Sequence, residues 1–251
     1  MNTQKSLLSY ESVADSVKLV HKALDGIAIP LGVTPCGRLE TAFLDDFSET
    51  GNMVIYGLCG SGKSKYIEFL IRSIADIYGE NINVSYIDGK DCEVIQYKKM
   101  LANKPHMPHP VIMDSATSVG ELTDIIYALA SNVVKGIERH ELVVFDDIEH
   151  ILPDCDEDTL SEFTGLLRNA PMAGMHVVIA QQSDKGGMLN YLSQVDLVCT
   201  TRLDKNLSYR VYGNDIGTLT KKYGEMIYRY KGNWGKLRVP FVKREPAKGD
   251  K

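Results

Sequence analysis

The sequence predicts an α/β fold, with a mainly parallel central sheet and helices on both faces. Three observations carry this. Short runs that are apolar at every position, such as residues 53–56 (MVIY) and 142–145 (LVVF), read as buried parallel strands, not as half-exposed ones. These runs alternate with longer stretches at helical spacing, which is the order that builds a parallel sheet with helical crossovers. A chain of 251 residues with 44% hydrophobic and 24% charged residues suits one such core, and no internal repeat divides it.

The elements follow in order. Residues 6–24 place Leu8, Val13, Val17, Val20 and Leu24 at helical spacing and stop at Gly26. They predict an amphipathic helix filling an N-terminal unit of residues 1–28. IPLGV (29–33) and TAFLDDF (41–47) predict the two strands of an opening hairpin. MVIYG (53–57) is a buried strand, and residues 63–79 form the helix that leaves it. NVSYIDGKD gives a strand ending at Asp88, and HPVIMD (109–114) gives the next. A long helix opens at Ser118 with Glu121 three residues on, the pattern of a capping box. ELVVFDD (141–147) is a central strand, followed by a helix around residues 158–169. HVVIAQQ (176–182) and LVCTTR (197–202) are further strands, with a helix near residues 206–212. GEMIYRY (224–230) and KLRVPF (236–241) predict a closing hairpin across Gly-Asn-Trp-Gly, packed at the sheet edge. The main domain therefore spans residues 29–241, and residues 242–251 are a charged, flexible tail containing proline.

The chemistry sits at two strand ends. Residues 57–64 read GLCGSGKS and satisfy G-x-x-x-x-G-K-[ST] at Gly57, Gly62, Lys63 and Ser64. Such a loop, made of Gly57, Leu58, Cys59, Gly60, Ser61, Gly62, Lys63 and Ser64, turns backbone N–H groups around phosphates at the start of a helix. Lys63 reaches the phosphates and Ser64 offers a hydroxyl to Mg2+, so ATP and Mg2+ are the expected cofactors. The plain alternative is a Gly/Ser turn. Asp146, at the end of the LVVF run, suits coordination of Mg2+ through water. Asp147 stands where a carboxylate orients the attacking water, one methylene shorter than glutamate. The alternative for both is capping of the next turn.

Composition excludes several classes. The net charge of −5 argues against a protein coated in basic charge, though a local basic loop can still meet DNA. Five cysteines without a C-x-x-C pair read as reduced thiols in the cytoplasm. No run approaches a membrane span, and no signal-peptide core opens the chain. Cys92, His106, His109 and Asp114 match no standard zinc spacing. Trp234, Tyr228 and Tyr230 with Arg229 and Lys231 form either a base-stacking surface or ordinary hairpin packing. Residues 185–187, and Lys221 with Lys222, are either phosphate contacts facing a pore or surface loops.

Several segments together resemble the FtsK/SpoIIIE–HerA family of P-loop ATPases. GNMVIYGLCGSGKS resembles the family's strand and loop. YIDGKDCEVIQY resembles its I-D-P-K-x-x-E-x-x-x-Y segment, with Gly89 where proline is usual. KPHMPHPVIMD resembles L-P-H-L…P-V-V-T-D. AGMHVVIAQQS resembles A-G-I-H-L-I-L-A-T-Q-R, which implies that Gln182 is the sensor glutamine. KKYGEMIYRYKG resembles the G-x-G-D-M-L-Y segment near the domain end. The resemblance covers residues 29–241 and implies a RecA-like P-loop NTPase fold. It implies a hexameric ring pumping double-stranded DNA, or a domain of a type VII-like protein secretion ATPase with a membrane or secretion partner. It also implies an arginine from a neighbouring subunit. Pro171 occupies the usual position, so Arg168, one turn earlier, is the candidate donor, a solvated surface arginine being the alternative. A third reading is a regulatory module that binds nucleotide and hydrolyses little.

Overall fold

The computed structural model describes residues 8–20, 26–46, 48, 50–90, 111–183, 185–220 and 222–242. The strands are β1 (Gly26–Val33), β2 (Leu39–Asp45), β3 (Met53–Tyr56), β4 (Ile82–Asp88), β5 (Val111–Ser115), β6 (His140–Asp146), β7 (Met175–Gln181), β8 (Leu197–Thr200), β9 (Glu225–Tyr230) and β10 (Asn233–Arg238). The helices are α1 (Ala14–Lys18), α2 (Lys63–Tyr78), α3 (Val119–Lys135), α4 (Glu157–Asn169) and α5 (Lys205–Tyr212), joined by short 3-10 turns.

The sheet has the order β2-β1-β10-β9-β8-β3-β7-β6-β4-β5. From β8 to β5 every pairing is parallel. From β2 to β8 every pairing is antiparallel. Strand residues alternate between two cores, as a period of two requires. Met53, Ile55, Leu142, Val144, Val178 and Ala180 face α1 and α2. Val54, Tyr56, Val143, Phe145, Val177 and Ile179 face α3, α4 and α5. Helices therefore cover both faces, which is why the central strands carry no polar alternation.

Most predicted elements stand within a residue or two. Ser118 caps α3, accepting from the Glu121 N–H while Glu121 reaches back to the Ser118 N–H. Asp156 and Asp204 cap α4 and α5 with the side-chain half of that pattern alone, accepting from the Thr159 and Leu207 N–H groups.

The structure corrects several of the expected elements. Residues 8–20 do not form one continuous helix. They hold a 3-10 turn at Tyr10–Ser12 and the short α1, and Gly26 opens β1 instead of closing a helix. The Tyr10 N–H donates to the Phe241 carbonyl, and Val13 and Val17 are buried with α2, so this segment is fixed by the far end of the chain. The β9–β10 hairpin is also not at an edge. It lies inside the sheet, with β10 beside β1 and β9 beside β8, and it turns at Lys231–Gly232 so that Asn233 and Trp234 belong to β10. Val242 is buried in the α2-side core, and the rest of the expected tail, residues 243–251, lies outside the described residues. So do Cys92, His106, His109 and Lys221. Asp114 is exposed, on β5. Residues 185–194 form a 3-10 run instead of an open loop. Among the described residues, no helix is long and apolar enough to cross a membrane.

Candidate active site

The loop of residues 57–62 leaves β3 and is pinned on both sides. The Gly57 N–H donates to the Gln181 carbonyl (3.0 Å) and the Leu58 N–H to the Arg202 carbonyl (3.1 Å). Ser61 and Thr201 share a hydroxyl hydrogen bond of 2.6 Å. A Cβ at Gly57 would overlap both hydroxyls, so only glycine fits there. Gly60 (φ 68°) and Gly62 (φ 105°) take left-handed conformations. Gly62 is the N-cap of α2 and brings no side chain to it. The first N–H groups of α2, which no helical carbonyl can satisfy, therefore face the loop with the positive end of the helix dipole. Leu58 and Ser64 are half-buried, whereas Cys59 and Gly60 are exposed.

Lys63 opens α2 and points into the sheet, 6% exposed. Its ammonium contacts Asp146 Oδ1 and, at 2.7 Å, Asp147 Oδ1. The Tyr86 hydroxyl donates to Asp146 Oδ2 at 2.7 Å. Asp147 has φ 56°, a left-handed conformation that aspartate tolerates better than most residues, and its N–H donates to the Ala180 carbonyl (2.8 Å). The turn aims its carboxylate back at Lys63. The Lys90 ammonium donates to Asp147 Oδ2 (2.8 Å), and the Gln182 amide donates to both Asp147 oxygens (3.0 and 2.9 Å).

The electrostatics follow from burial and pairing. Burial works against the Lys63 charge, but the two aspartates outweigh it and hold its pKa above the ordinary lysine value. Burial, with the neighbouring Asp147 charge, pushes Asp146 above the usual carboxylate range. Asp147 is also penalised by burial, yet Lys63 and Lys90 bring it below that range.

The structure thus brings together the loop, Lys63, Asp146, Asp147 and Gln182. Arg168 is elsewhere. It is exposed in the last turn of α4, whose end is tied by the Asn52 side chain to the Leu167 carbonyl, just ahead of β3. That is the opposite end of the sheet from the loop. Pro171 is buried at the head of a 3-10 turn. The Trp234 side chain is 58% exposed, whereas Tyr228 and Tyr230 pack against the α2-side core.

Three residues escaped sequence reading. Tyr86 and Lys90 hold the two aspartates. Glu149 is buried, accepts from the Gln182 N–H (2.9 Å), and leaves its second oxygen without a hydrogen-bond partner. Burial, aided by the Asp147 charge, raises its pKa. For Tyr86 the strand INVSYID offered no distinct signal, since Asn83, Ser85 and Asp88 are polar too. For Lys90 and Glu149 there was only proximity to Asp88 and Asp147.

A lysine at the head of α2 meets carboxylates from β6, and β7 is inserted between β3 and β6. This arrangement defines a RecA-like P-loop nucleoside triphosphatase. Residues 16–204 match the FtsK/SpoIIIE family, and the chain belongs to it. The chain is 24% identical over 227 residues to the DNA translocase FtsK of Clostridium tetani, an alignment covering 78% of this chain and 29% of that protein. Its fold is similar to that of the pCW3 conjugation coupling protein TcpA, solved as a monomer with ATPγS (TM-score 0.67, 17% identity, 94% of this chain and 70% of that one). It is also similar to ATPases 2 and 3 of Thermomonospora curvata EccC in complex with a signal sequence peptide (TM-score 0.64, 14% identity, 94% and 43%).

Proposed function

We propose that this chain binds Mg-ATP and, as a subunit of a hexameric ring in the cytoplasm, couples its hydrolysis to movement of double-stranded DNA. The observation that carries this is the meeting of Lys63, Asp146, Asp147 and Gln182 beside the phosphate loop, in a chain of the FtsK/SpoIIIE family. The residues present fit the cofactors. The uncapped N-terminus of α2 and the Lys63 ammonium suit phosphate oxygens, and Ser64 with Asp146 would hold Mg2+. Bound Mg2+ supplies charge against the negative oxygens of the phosphoryl group. Lys63 neutralises phosphate charge, exchanging its contact with Asp146 and Asp147 for one with the nucleotide. Asp147, fixed by Lys90 and Gln182, orients water. Gln182 bonds Asp147 through its side chain and Glu149 through its backbone, so it links both carboxylates to the end of β7. Arg168, exposed at the far end of the sheet, serves a neighbour's site in a head-to-tail ring.

The substrate rests on family membership. The C. tetani relative is named a DNA translocase, and this chain spans 29% of its length. One observation favours a weakly hydrolysing regulatory module instead: both Asp147 oxygens already accept hydrogen bonds from three donors. ATPase activity measured over a range of protein concentrations, with and without double-stranded DNA, tests the reading. Activity that rises with both supports it. Rise with concentration alone, and stimulation by a secretion-signal peptide, identifies a protein-moving domain with a secretion or membrane partner. Tight ATP binding without turnover identifies the regulatory module.

A further inference from the structure

At the end of the sheet opposite the phosphate loop, three side chains from different elements converge. Asp46 follows β2, His140 opens β6, and His176 lies in β7. Asp46 Oδ1 is 2.8 Å from His176 Nε2 and 3.7 Å from His140 Nδ1, and the three atoms lie within 4.8 Å of one another. His176 is fully buried, and its Nδ1 is 2.5 Å from the Gly51 carbonyl. A carbonyl only accepts, so Nδ1 carries the N–H. In a neutral imidazole the Nε2 atom is then a bare lone pair. It faces a carboxylate oxygen that also has only lone pairs to offer. His140 Nδ1 is buried, has no hydrogen-bond partner, and points at the same oxygen. A proton on His176 Nε2 would reconcile that nitrogen with Asp46, and the Nδ1–H tautomer of His140 would turn a donor toward the same oxygen. One metal ion reconciles all three atoms.

We propose that Asp46, His140 and His176 form a site for a divalent transition metal of the zinc class. Two imidazoles and a carboxylate select such ions over Mg2+ or Ca2+, which prefer oxygen ligands. Ligands bound at about 2.0–2.1 Å in a tetrahedron stand roughly 3.3 Å apart, a value bracketed by the two separations to Asp46. The Gly51 carbonyl is the outer partner that metal-bound histidines ordinarily have: it sets the tautomer that aims Nε2 inward. A cavity of about 420 Å³, lined by Asp46, Arg139, His140 and Gly174 among others, lies alongside as an access path. A fourth ligand would be water or the second Asp46 oxygen. The site is separate from Mg2+ chemistry at Asp146. His140 and Asp146 are the two ends of β6, about 20 Å apart at roughly 3.3 Å per residue. Metal here would tie the opening hairpin to the base of the parallel strands.

The test uses the full chain, stripped with a chelator and kept in excess Mg2+ without nucleotide, so that the Asp146 site is not counted. Co2+ titration should give one equivalent with the intense visible absorption of a four-coordinate ion. Zn2+ at 100 times its Kd should raise Tm by about 5 °C or more. Both effects should vanish in His140→Gln and Asp46→Asn, variants at partly exposed positions. His140→Cys, which keeps a zinc ligand, should restore part of the Zn2+ stabilisation. Absence of uptake overturns the proposal. So does uptake that persists in His140→Gln, or that is lost on replacing Cys36, Cys59 and Cys92 by serine while His140 is intact.

Discussion

Lys63→Ala is normally read as a binding mutation, but the structure makes it a stability mutation first. The side chains of Lys63, Asp146 and Asp147 are 6%, 2% and 12% exposed. Removing the cation leaves two adjacent buried carboxylates. Breaking one partner out of such a set costs about 3–5 kcal/mol. Tyr86, Lys90 and Gln182 still serve the acids, which places the loss near the lower figure. For a chain of this size, about 3 kcal/mol corresponds to a Tm lower by roughly 6–12 °C. The pH dependence has a definite sign. The raised pKa of Lys63 means its contribution is complete below the unfolded lysine value and fades as pH rises through the folded one. The lowered pKa of Asp147 means its contribution is complete above the unfolded aspartate value and fades as pH falls through the folded one. The Lys63–Asp147 pair is therefore at full strength between about pH 5 and pH 9. The deficit of the alanine variant should be full at pH 7 and shrink toward pH 4, where protons replace the missing ammonium. Adding Asp146→Asn to Lys63→Ala should recover part of the lost Tm, because it removes one of the stranded charges. Thermal unfolding of the parent, both single variants and the double variant across that pH range measures all of this. A deficit under about 2 °C at pH 7, or one unchanged between pH 4 and pH 7, would refute the reasoning. ATP titrations of Lys63→Ala belong well below its lowered Tm.

Glu149→Gln should raise Tm at pH 8 and have little effect at pH 4: the parent's raised pKa means it loses stability as pH rises above the unfolded glutamate value, whereas the amide does not titrate. Gly89→Ala should lower turnover and cost about 1–3 kcal/mol in denaturant unfolding, since a Cβ there would sit 2.6 Å from the Asp147 carbonyl oxygen and displace that turn. Asp147→Asn should abolish hydrolysis while calorimetry shows Mg-ATP binding kept, and equal rates in both forms would remove Asp147 from the mechanism. Mixing Arg168→Ala with Lys63→Ala subunits should restore turnover that each lacks alone; no recovery, with Arg168→Ala itself fully active, would make Arg168 a surface residue.

The nucleotide end of the fold was legible because its signals are local. Gly57, Gly62 and Lys63 lie within one short loop, and Asp146 ends a run of apolar residues that only a buried strand explains. Ser118 and Glu121 announced the start of α3 for the same reason. What failed was long-range. Nothing near Tyr10 says that its N–H meets the Phe241 carbonyl, so residues 6–24 read as a free-standing helix. Nothing in residues 224–241 says that the hairpin enters the sheet instead of bordering it. The supports of the site were invisible likewise: Tyr86 and Lys90 lie on another strand and its turn, and their worth appears only once β4 is paired with β6 in register, Asp88 beside Asp146. Asp46, His140 and His176 are far apart in sequence and fit no spacing rule.

The placement of β9 and β10 bears on how the chain is made. Ribosomal synthesis runs from the N-terminus, so the β1–β2 ribbon and the parallel block from β3 to β8 emerge first, as two pieces whose facing borders, β1 and β8, have no neighbour. Only when Arg238 has left the exit tunnel can the last hairpin slide between them and fuse them into one sheet. Until then each nascent chain displays two unsatisfied strand borders, the kind of surface on which newly made chains stick to one another. Closure of this sheet is thus gated by the β9–β10 hairpin, and a stalled ribosome or a stop codon just before residue 225 would release a sheet missing two inner strands, not an edge.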